Sequence, residues 1–120
     1  MIPVIERVIR ETALPVSIDT SKPEVMRAAV AAGAGMINDV QALRADGALD
    51  VAASRGVPVV LMHMQGEPRT MQAAPAYADV LAEVCGFLEQ RLKACRAAGI
   101  AESRVVLDPG IGFGKTLEHN

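Results

Sequence analysis

The sequence predicts an α/β protein built on parallel strands, and three observations support this fold class. Four short apolar runs recur along the chain, helix-like stretches separate them, and each run ends in a polar residue where a loop begins. Continuously apolar runs are typical of parallel strands buried on both faces. Because the carboxyl ends of such strands hold the active site in barrels and in open α/β sheets, these polar residues mark a candidate site. The runs are Val16-Ser17-Ile18-Asp19, Met36-Ile37-Asn38-Asp39, Val59-Val60-Leu61-Met62-His63 and Val105-Val106-Leu107-Asp108.

Helix start and stop signals fix the elements between the strands. Ser21 and Glu24 form a capping-box pattern, in which Ser21 caps a helix and Glu24 reaches back to the Ser21 amide. Gly33 and Gly56 stand where a left-handed residue would end a helix. The predicted elements are helix 3–12, strand 16–19, helix 23–32, strand 36–39, a helix from Asp46-Gly47 to Gly56, strand 59–63, helix 78–98 and strand 105–108.

A long loop and an amphipathic helix distinguish the second half of the chain. The loop runs from Met64 to about Ala76, and loops of this length inside compact domains are usually functional. The helix that follows carries an apolar stripe with helical spacing, which predicts its buried face. The stripe consists of Leu81, Val84, Cys85, Leu88, Leu92 and Cys95.

Four consecutive β-α units fit half of a (β/α)₈ barrel, and they fit a small open flavodoxin-like sheet equally well. Helical crossovers of this length join parallel strands in a right-handed sense in either architecture. The chain opens on a helix and closes after a strand and its loop, so nothing is predicted to cover the last strand. Since a whole barrel needs about 250 residues, we expect the chain to be part of something longer.

Composition excludes several classes of function. The chain has 120 residues, which favours one domain, and its 51% hydrophobic content argues against disorder. Three aromatic residues are too few for a base-stacking surface, and a net charge of −2 favours neither nucleic acid nor an anionic membrane. Cys85 and Cys95 lie too far apart along one helix for a disulfide within it, so we expect buried thiols in a reducing cytoplasm.

Three strand ends carry side chains suited to a flat heterocycle. Asp19, Asn38 and Asp108 end three different predicted strands, and on adjacent parallel strands they would converge on one mouth. A carboxylate accepts two hydrogen bonds side by side, and an amide accepts and donates. The set therefore suits a ring edge that presents adjacent N–H donors. The alternative interpretation is that these residues cap helices or close turns.

The segment from Asp108 to Thr116 is the densest local signal, because alternate glycines let the backbone approach a ligand closely. It is close to a phosphate-binding P-loop, but Pro109 stands where that motif requires its first glycine. Lys115 likewise stands where a dinucleotide fingerprint would need glycine. These two departures from the nucleotide-binding motifs argue against nucleotide binding.

The remaining polar candidates have weaker signals. His63 and His119 have no second metal ligand at close spacing, so a zinc site is disfavoured, and a hydrogen-bonded structural role is favoured for His63. Met62 and Met64 flank His63 and suit either a planar ligand or the core. Three basic residues of the site-side loops could meet an anion or remain solvated. They are Lys22, Arg69 and Lys115.

Taken together, the motifs resemble dihydropteroate synthase over essentially the whole chain. The resemblance implies a (β/α)₈ TIM barrel of folate biosynthesis. Residues 1–120 would form the central part of this pterin-binding barrel, with about four β-α units and with the N- and C-terminal units absent. The segments that carry it are Ile18 to Val25, Ile37-Asn38-Asp39, Leu61 to Gly66 with Pro68 and Thr70-Met71-Gln72, and Leu107 to Lys115.

The resemblance also implies a reaction and a residue set. The family is a transferase that joins 6-hydroxymethyl-7,8-dihydropterin diphosphate to 4-aminobenzoate and releases diphosphate. Asp19, Asn38 and Asp108 match its pterin-binding residues, with Asp19 and Asp108 as the catalytic carboxylates that stabilise positive charge on the pterin methylene. Met62 matches a wall of the pterin pocket. The loop beside the aminobenzoate site, where sulfonamides compete, is matched by Gly112 and Phe113.

Further expectations concern cofactors, partners and the state of the isolated chain. The resemblance implies Mg²⁺, whose ligand would lie outside these residues, a cytoplasmic homodimer, small-molecule substrates, and neither nucleic acid nor a membrane as partner. The resemblance places almost all of the diphosphate and metal ligands outside residues 1–120, so we expect the chain alone to be inactive. Its two open strand edges predict that it is marginally folded or associates through those edges. The alternatives are a pterin-binding methyltransferase barrel, against which the loop from Gly112 to Lys115 argues, and a non-catalytic pterin-binding module.

Overall fold

The computed structural model describes residues 1–64, 79–113 and 115–118. Within them, helices and strands alternate in the predicted order, and their bounds lie within two residues of those predicted. The loop predicted from Met64 to Ala76, with Arg69, lies outside the described residues apart from Met64, as does His119. The elements are α1 (Ile2–Thr12), β1 (Ser17–Asp19), α2 (Pro23–Ala31), β2 (Met36–Asp39), α3 (Ala48–Arg55), β3 (Val59–Met62), α4 (Val80–Ala97), a 3₁₀ turn (Glu102–Arg104) and β4 (Val105–Asp108).

The strands form one parallel sheet in the order β1-β2-β3-β4. Asp19 pairs with Asn38 at the β1–β2 ladder, and Met62 pairs with Asp108 at the β3–β4 ladder. A flavodoxin-like sheet would place its second strand outside the first, so the sequential order favours the barrel of the two architectures that the pattern allowed.

One face of the sheet packs against the helices. Strand side chains alternate between faces, and Ile18, Ile37 and Leu61 join a single apolar cluster with Met26 of α2 and Cys95 of α4. Residues of the opposite face, such as Val60, are absent from that cluster. Helices on one face of sequential parallel strands are the arrangement of a (β/α)₈ barrel. The predicted α/β class, a partial barrel of about four β-α units, is therefore confirmed.

The outer strands of the described sheet are β1 and β4. On β4, Val106 is 49% exposed and Leu107 is 44% exposed, although both belong to a predicted buried run. β1 and β4 are therefore the two open strand edges that the sequence analysis predicts. Self-association through these edges stays a prediction. No helix in the described ranges is long and apolar enough to cross a membrane.

The apolar stripe of α4 is narrower than predicted. Val84, Leu88 and Cys95 are buried, whereas Cys85 and Leu81 are exposed, so the expectation that both thiols are buried is wrong for Cys85. The helix turns by about 100° per residue, which takes Cys85 away from the face that Val84 presents to the sheet. Leu81 lies in the first turn and borders a small apolar crevice that it shares with the loop after β4.

Candidate functional site

The four predicted pterin-binding residues lie on the helix-free face of the sheet. Asp19 and Asn38 pair directly, and so do Met62 and Asp108, while Asn38 pairs with Val60 on the intervening ladder. Because paired residues of a parallel ladder share a face and every second residue returns to it, all four share one face near the carboxyl edge. The structure thus places the three residues that the strand ends predicted on one face of the sheet, together with Met62.

Asn38 supplies an acceptor that folding does not use. Its side chain is half-buried, and its Oδ1 is fully shielded yet accepts no hydrogen bond from the described residues. A buried acceptor left unpaired costs about 1–3 kcal/mol, so a fold rarely keeps one without a reason. A ligand N–H donor at this position would remove that cost.

Asp108 is held in one orientation by the loop that follows it. The Gly110 N–H donates to its Oδ1 at 2.8 Å. A carboxylate offers about four lone-pair positions, so this bond leaves acceptor capacity for two further donors. Gly110 has a φ of +71°, and a Cβ there would overlap the carbonyl oxygen of His63. Glycine at this position is therefore a requirement of the loop that orients Asp108.

Lys115 holds the same loop in place through hydrogen bonds to backbone carbonyls. Its buried ammonium donates to the carbonyl oxygens of Gly110 and Phe113 at 2.9 Å each and of His63 at 3.3 Å. Burial lowers the pKa of Lys115, and the nearby Asp108 carboxylate opposes that shift. Both roles predicted for Lys115, an anion ligand or a solvated charge, are wrong, because backbone carbonyls engage its donors.

Gly112 and Phe113, the predicted aminobenzoate-side residues, lie in the turn that Lys115 fastens. The Phe113 N–H donates to the Gly110 carbonyl at 2.9 Å, and Gly112 has a φ of +84°. This turn begins directly after Asp108, so it stands at the same edge of the sheet as the four residues of the helix-free face. Phe113 is half-buried.

His63 lies on the helix side of the sheet. It is buried, and its ring meets Phe87 of α4 edge-on with centroids 5.1 Å apart. Its backbone N–H donates to the Asp108 carbonyl at 2.9 Å. Burial lowers the pKa of His63 to about 4, and Lys115 and Arg44 add to the shift. The imidazole is therefore neutral at pH 7, and the structural role assigned to His63 stays a prediction.

Asp39 is a polar residue that the sequence analysis did not single out. It is fully buried, and its carboxylate accepts hydrogen bonds from Ser21 Oγ at 2.6 Å, Gln41 N–H at 2.8 Å and Leu43 N–H at 2.9 Å. One signal could have found it: Asp39 follows Ile37 by two residues on a strand, so it faces the core and requires donors.

The predicted capping box is wrong. Lys22, not Ser21, is the N-cap residue of α2, and the Lys22 side chain makes no capping hydrogen bond. Ser21 donates instead to the buried Asp39 carboxylate, and a bond to a buried charge is worth more than one to an exposed helix amide. Lys22 itself is exposed.

Comparison with known proteins gives consistent matches over the whole chain. The family model described as pterin binding enzyme matches residues 1–120. The chain is 51% identical to dihydropteroate synthase of Escherichia coli K12 over 120 residues, which is 100% of this chain and 43% of that relative. The chain thus spans less than half the length of the curated relatives it matches.

Solved structures agree. Dihydropteroate synthase of Stenotrophomonas maltophilia, with imidazole bound in its active site, is 66% identical with a TM-score of 0.96, covering 100% of this chain and 45% of that one. The enzyme of Xanthomonas albilineans in complex with 7,8-dihydropteroate is 61% identical with a TM-score of 0.91, covering 100% of this chain and 43% of that one.

Proposed function

The chain belongs to the pterin-binding enzyme family, and we propose that residues 1–120 form the pterin-recognising part of a dihydropteroate synthase. The observation that carries this proposal is the helix-free face, where Asp19, Asn38, Met62 and Asp108 lie together. The unsatisfied Oδ1 of Asn38 supports it, because a pterin ring offers the N–H donor that this oxygen lacks.

The proposed reaction is a substitution at the pterin methylene. The amino nitrogen of 4-aminobenzoate forms a bond to the methylene carbon of 6-hydroxymethyl-7,8-dihydropterin diphosphate. The bond from that carbon to the diphosphate oxygen breaks, and diphosphate leaves with the electron pair. The nitrogen then loses a proton, which gives 7,8-dihydropteroate.

Each residue of the helix-free face has a role in this scheme. Asp108, oriented by Gly110, accepts from the 2-amino group and the N3–H of the ring, because a carboxylate takes two parallel donors. Asn38 accepts from a further ring N–H, and Met62 lines the flat face of the ring. Asp19 and Asp108 are the catalytic carboxylates, since their charge stabilises the cation that develops as diphosphate departs.

The turn after Asp108 is proposed to border the aminobenzoate site through Gly112 and Phe113. Lys115 holds this turn in place by donating hydrogen bonds to the carbonyl oxygens of Gly110 and Phe113. A fixed turn would present the Phe113 ring to the aromatic ring of aminobenzoate and would make the same position a target of sulfonamides.

The expected cofactor is not supported by these residues. The resemblance implies a Mg²⁺ ligand outside residues 1–120, and the described part of the chain has no group of three His, Cys, Asp or Glu side chains that could hold a metal ion, so no step is assigned to Mg²⁺. A cytoplasmic homodimer is our proposal for the complete protein. The two free thiols, Cys85 and Cys95, are compatible with a reducing compartment.

The test is turnover in a complete barrel. Residues 1–120 replace the matching segment of the Stenotrophomonas maltophilia enzyme, and formation of 7,8-dihydropteroate is measured. Asp108→Asn is expected to lower kcat/KM for the pterin diphosphate at least about a hundredfold, as loss of a transition-state charge does. Glu102→Gln removes an exposed carboxylate at the opposite end of β4 and is the matched control.

The outcomes separate the possible functions. Product formation that depends on Asp108 and not on Glu102 supports a synthase. A chimera that folds as the host enzyme does, binds the pterin diphosphate and forms no product would support a non-catalytic pterin-binding module. A folded chimera that does not bind the pterin would contradict the proposal.

A further inference from the structure

The Ser21–Asp39 hydrogen bond joins two segments that each carry a residue of the helix-free face. Ser21 lies in the loop after β1, two residues beyond Asp19, and Asp39 ends β2 next to Asn38. The bond from Ser21 Oγ to Asp39 Oδ1 is 2.6 Å long, the length of a strong charge-assisted hydrogen bond. It lies on the helix side of the sheet, directly behind the proposed pterin contacts.

Among the residues that the structure describes, one other hydrogen bond joins these two segments beyond the strand pairing. The Thr20 N–H donates to the Asn38 carbonyl at 3.1 Å, which continues the β1–β2 ladder by one step. Further along, the Lys22 N–H donates to Thr20 Oγ1 within the loop itself. Ser21 therefore supplies the side-chain link that sets how the loop after Asp19 lies against the end of β2.

Asp39 is the fixed end of this link. Its carboxylate also accepts from the N–H groups of Gln41 and Leu43, in a loop whose residue Leu43 has a φ of +60°. Arg91 of α4 binds the same loop by donating hydrogen bonds to the carbonyl oxygens of Ala42, at 2.9 Å, and of Leu43, at 3.0 Å. With four such bonds Asp39 and its loop form an anchor, so loss of the Ser21 hydroxyl would leave the Asp19 side held to β2 by the backbone bonds of the ladder alone.

We propose that Ser21 is a positioning residue that sets the spacing of Asp19 and Asn38 and thereby the recognition of the pterin ring. This inference rests on the proposed function, since it assigns Ser21 a part in pterin binding and none in aminobenzoate binding. The hydroxyl touches no substrate and acts through the backbone that carries Asp19. A purely structural serine would affect stability without distinguishing the two substrates.

The experiment compares four forms of the barrel chimera defined above. Ser21→Ala removes the donor and leaves the two backbone donors of Asp39 in place, and Ser21→Thr restores a hydroxyl. Ser54→Ala is the matched control, because Ser54 Oγ donates to the Val51 carbonyl at 3.0 Å within α3, near the amino edge of the sheet. KM is measured separately for the pterin diphosphate and for 4-aminobenzoate, with kcat and thermal unfolding of each form.

Ser21→Ala is expected to raise KM for the pterin diphosphate about tenfold, with KM for 4-aminobenzoate within about twofold of the unsubstituted chimera, since loss of this intramolecular bond displaces the residues of the pterin subsite alone. Ser21→Thr is expected to return the pterin KM to its original value, and Ser54→Ala to leave both constants unchanged. If Ser21→Ala fails to fold, Ser21→Cys, with a weak donor of similar size, is expected to give an intermediate pterin KM.

The results that overturn the inference are distinct from those that overturn the proposed function. A folded Ser21→Ala chimera with an unchanged pterin KM, or one that only loses stability and active fraction, would overturn the role of Ser21 alone. The same holds if both substrates are affected equally. An unsubstituted chimera that folds and neither binds the pterin nor forms product would overturn the proposed function, and the role of Ser21 with it.

Discussion

The two faces of the sheet differ in how their polar groups are satisfied. On the helix side, Asp39 is fully buried and accepts three hydrogen bonds, among apolar neighbours such as Ile37 and Leu61. On the helix-free side, Asn38 keeps a shielded oxygen that no described residue satisfies. Folding thus accounts for the carboxylate of Asp39 and not for the shielded oxygen of Asn38. In the proposed function, an N–H group of the pterin ring supplies the donor that this oxygen lacks.

The largest expected effect tests whether the helix side holds the fold together. Ile37→Ala is expected to lower the free energy of unfolding by about 2–5 kcal/mol, because it opens a cavity in the core. Val4→Ala, in α1 and 63% exposed, is expected to lower it by less than about 1 kcal/mol. Denaturant unfolding of the chimera measures both, and equal losses would show that the cluster around Ile37 is not the core that holds the fold together.

A pair of glycine substitutions tests the loop that orients Asp108. Gly110→Ala is expected to lower the free energy of unfolding by about 2–4 kcal/mol, because its left-handed φ and its approach to the His63 carbonyl both exclude a Cβ. Gly86→Ala, in α4 with open space around it, is expected to raise stability by about 0.5–1 kcal/mol. Thermal unfolding gives both signs, and tolerance of Gly110→Ala would mean that the loop is not fixed as described.

A third prediction concerns His63 and acid. Its folded-state pKa of about 4 lies below the 6.5 of the unfolded chain, so between these values the unfolded state binds more protons. This contribution to stability is complete above pH 6.5 and is lost as the pH falls towards 4. The slope due to His63 is at most about 1.4 kcal/mol per pH unit.

The check is the difference between two pH profiles. His63→Gln is expected to flatten the dependence of unfolding free energy on pH in that window relative to the unsubstituted chimera. His63 is the single titrating group removed by this substitution, so identical slopes in the two profiles would mean that its imidazole is protonated equally well in the folded state.

The smallest expected effect on stability is that of Asn38→Ala. Removing an acceptor that has no partner costs no hydrogen bond, so the free energy of unfolding is expected to stay within about 1 kcal/mol of its original value. Calorimetric unfolding checks this. A loss of several kcal/mol would show that Asn38 supports the fold and would remove the main reason to assign it to a ligand.

The order of elements and the position of the site could be predicted from the sequence because they depend on local signals. Apolar runs, glycine stops and polar strand ends fixed the strands and placed Asp19, Asn38 and Asp108 at one edge. The strand order that separates a barrel from an open sheet is a property of the assembled chain, and pattern alone left it undecided.

The features that could not be predicted from the sequence depend on contacts between residues that are far apart along the chain or on how a helix packs. Ser21 has a partner 18 residues away, and that partner outcompetes the local helix amides because it is a buried carboxylate. The sequence around Lys115 indicates a loop charge, because it does not show that the His63 carbonyl oxygen, 52 residues away, accepts a hydrogen bond from this ammonium. Cys85 is exposed because the face of α4 that the sheet covers is narrower than the apolar stripe of the sequence. How wide that face is depends on how the helix packs, which the stripe alone does not show.

The most direct test of the central claim is the affinity of the Asn38→Ala chimera for 6-hydroxymethyl-7,8-dihydropterin diphosphate, measured by isothermal titration. The control is Gln90→Ala, which removes an exposed amide of α4. If the helix-free face binds the pterin ring, Asn38→Ala weakens binding about tenfold or more, the equivalent of one buried hydrogen bond, and Gln90→Ala leaves it unchanged. Equal affinity in all three proteins would contradict the claim that this face recognises the ring.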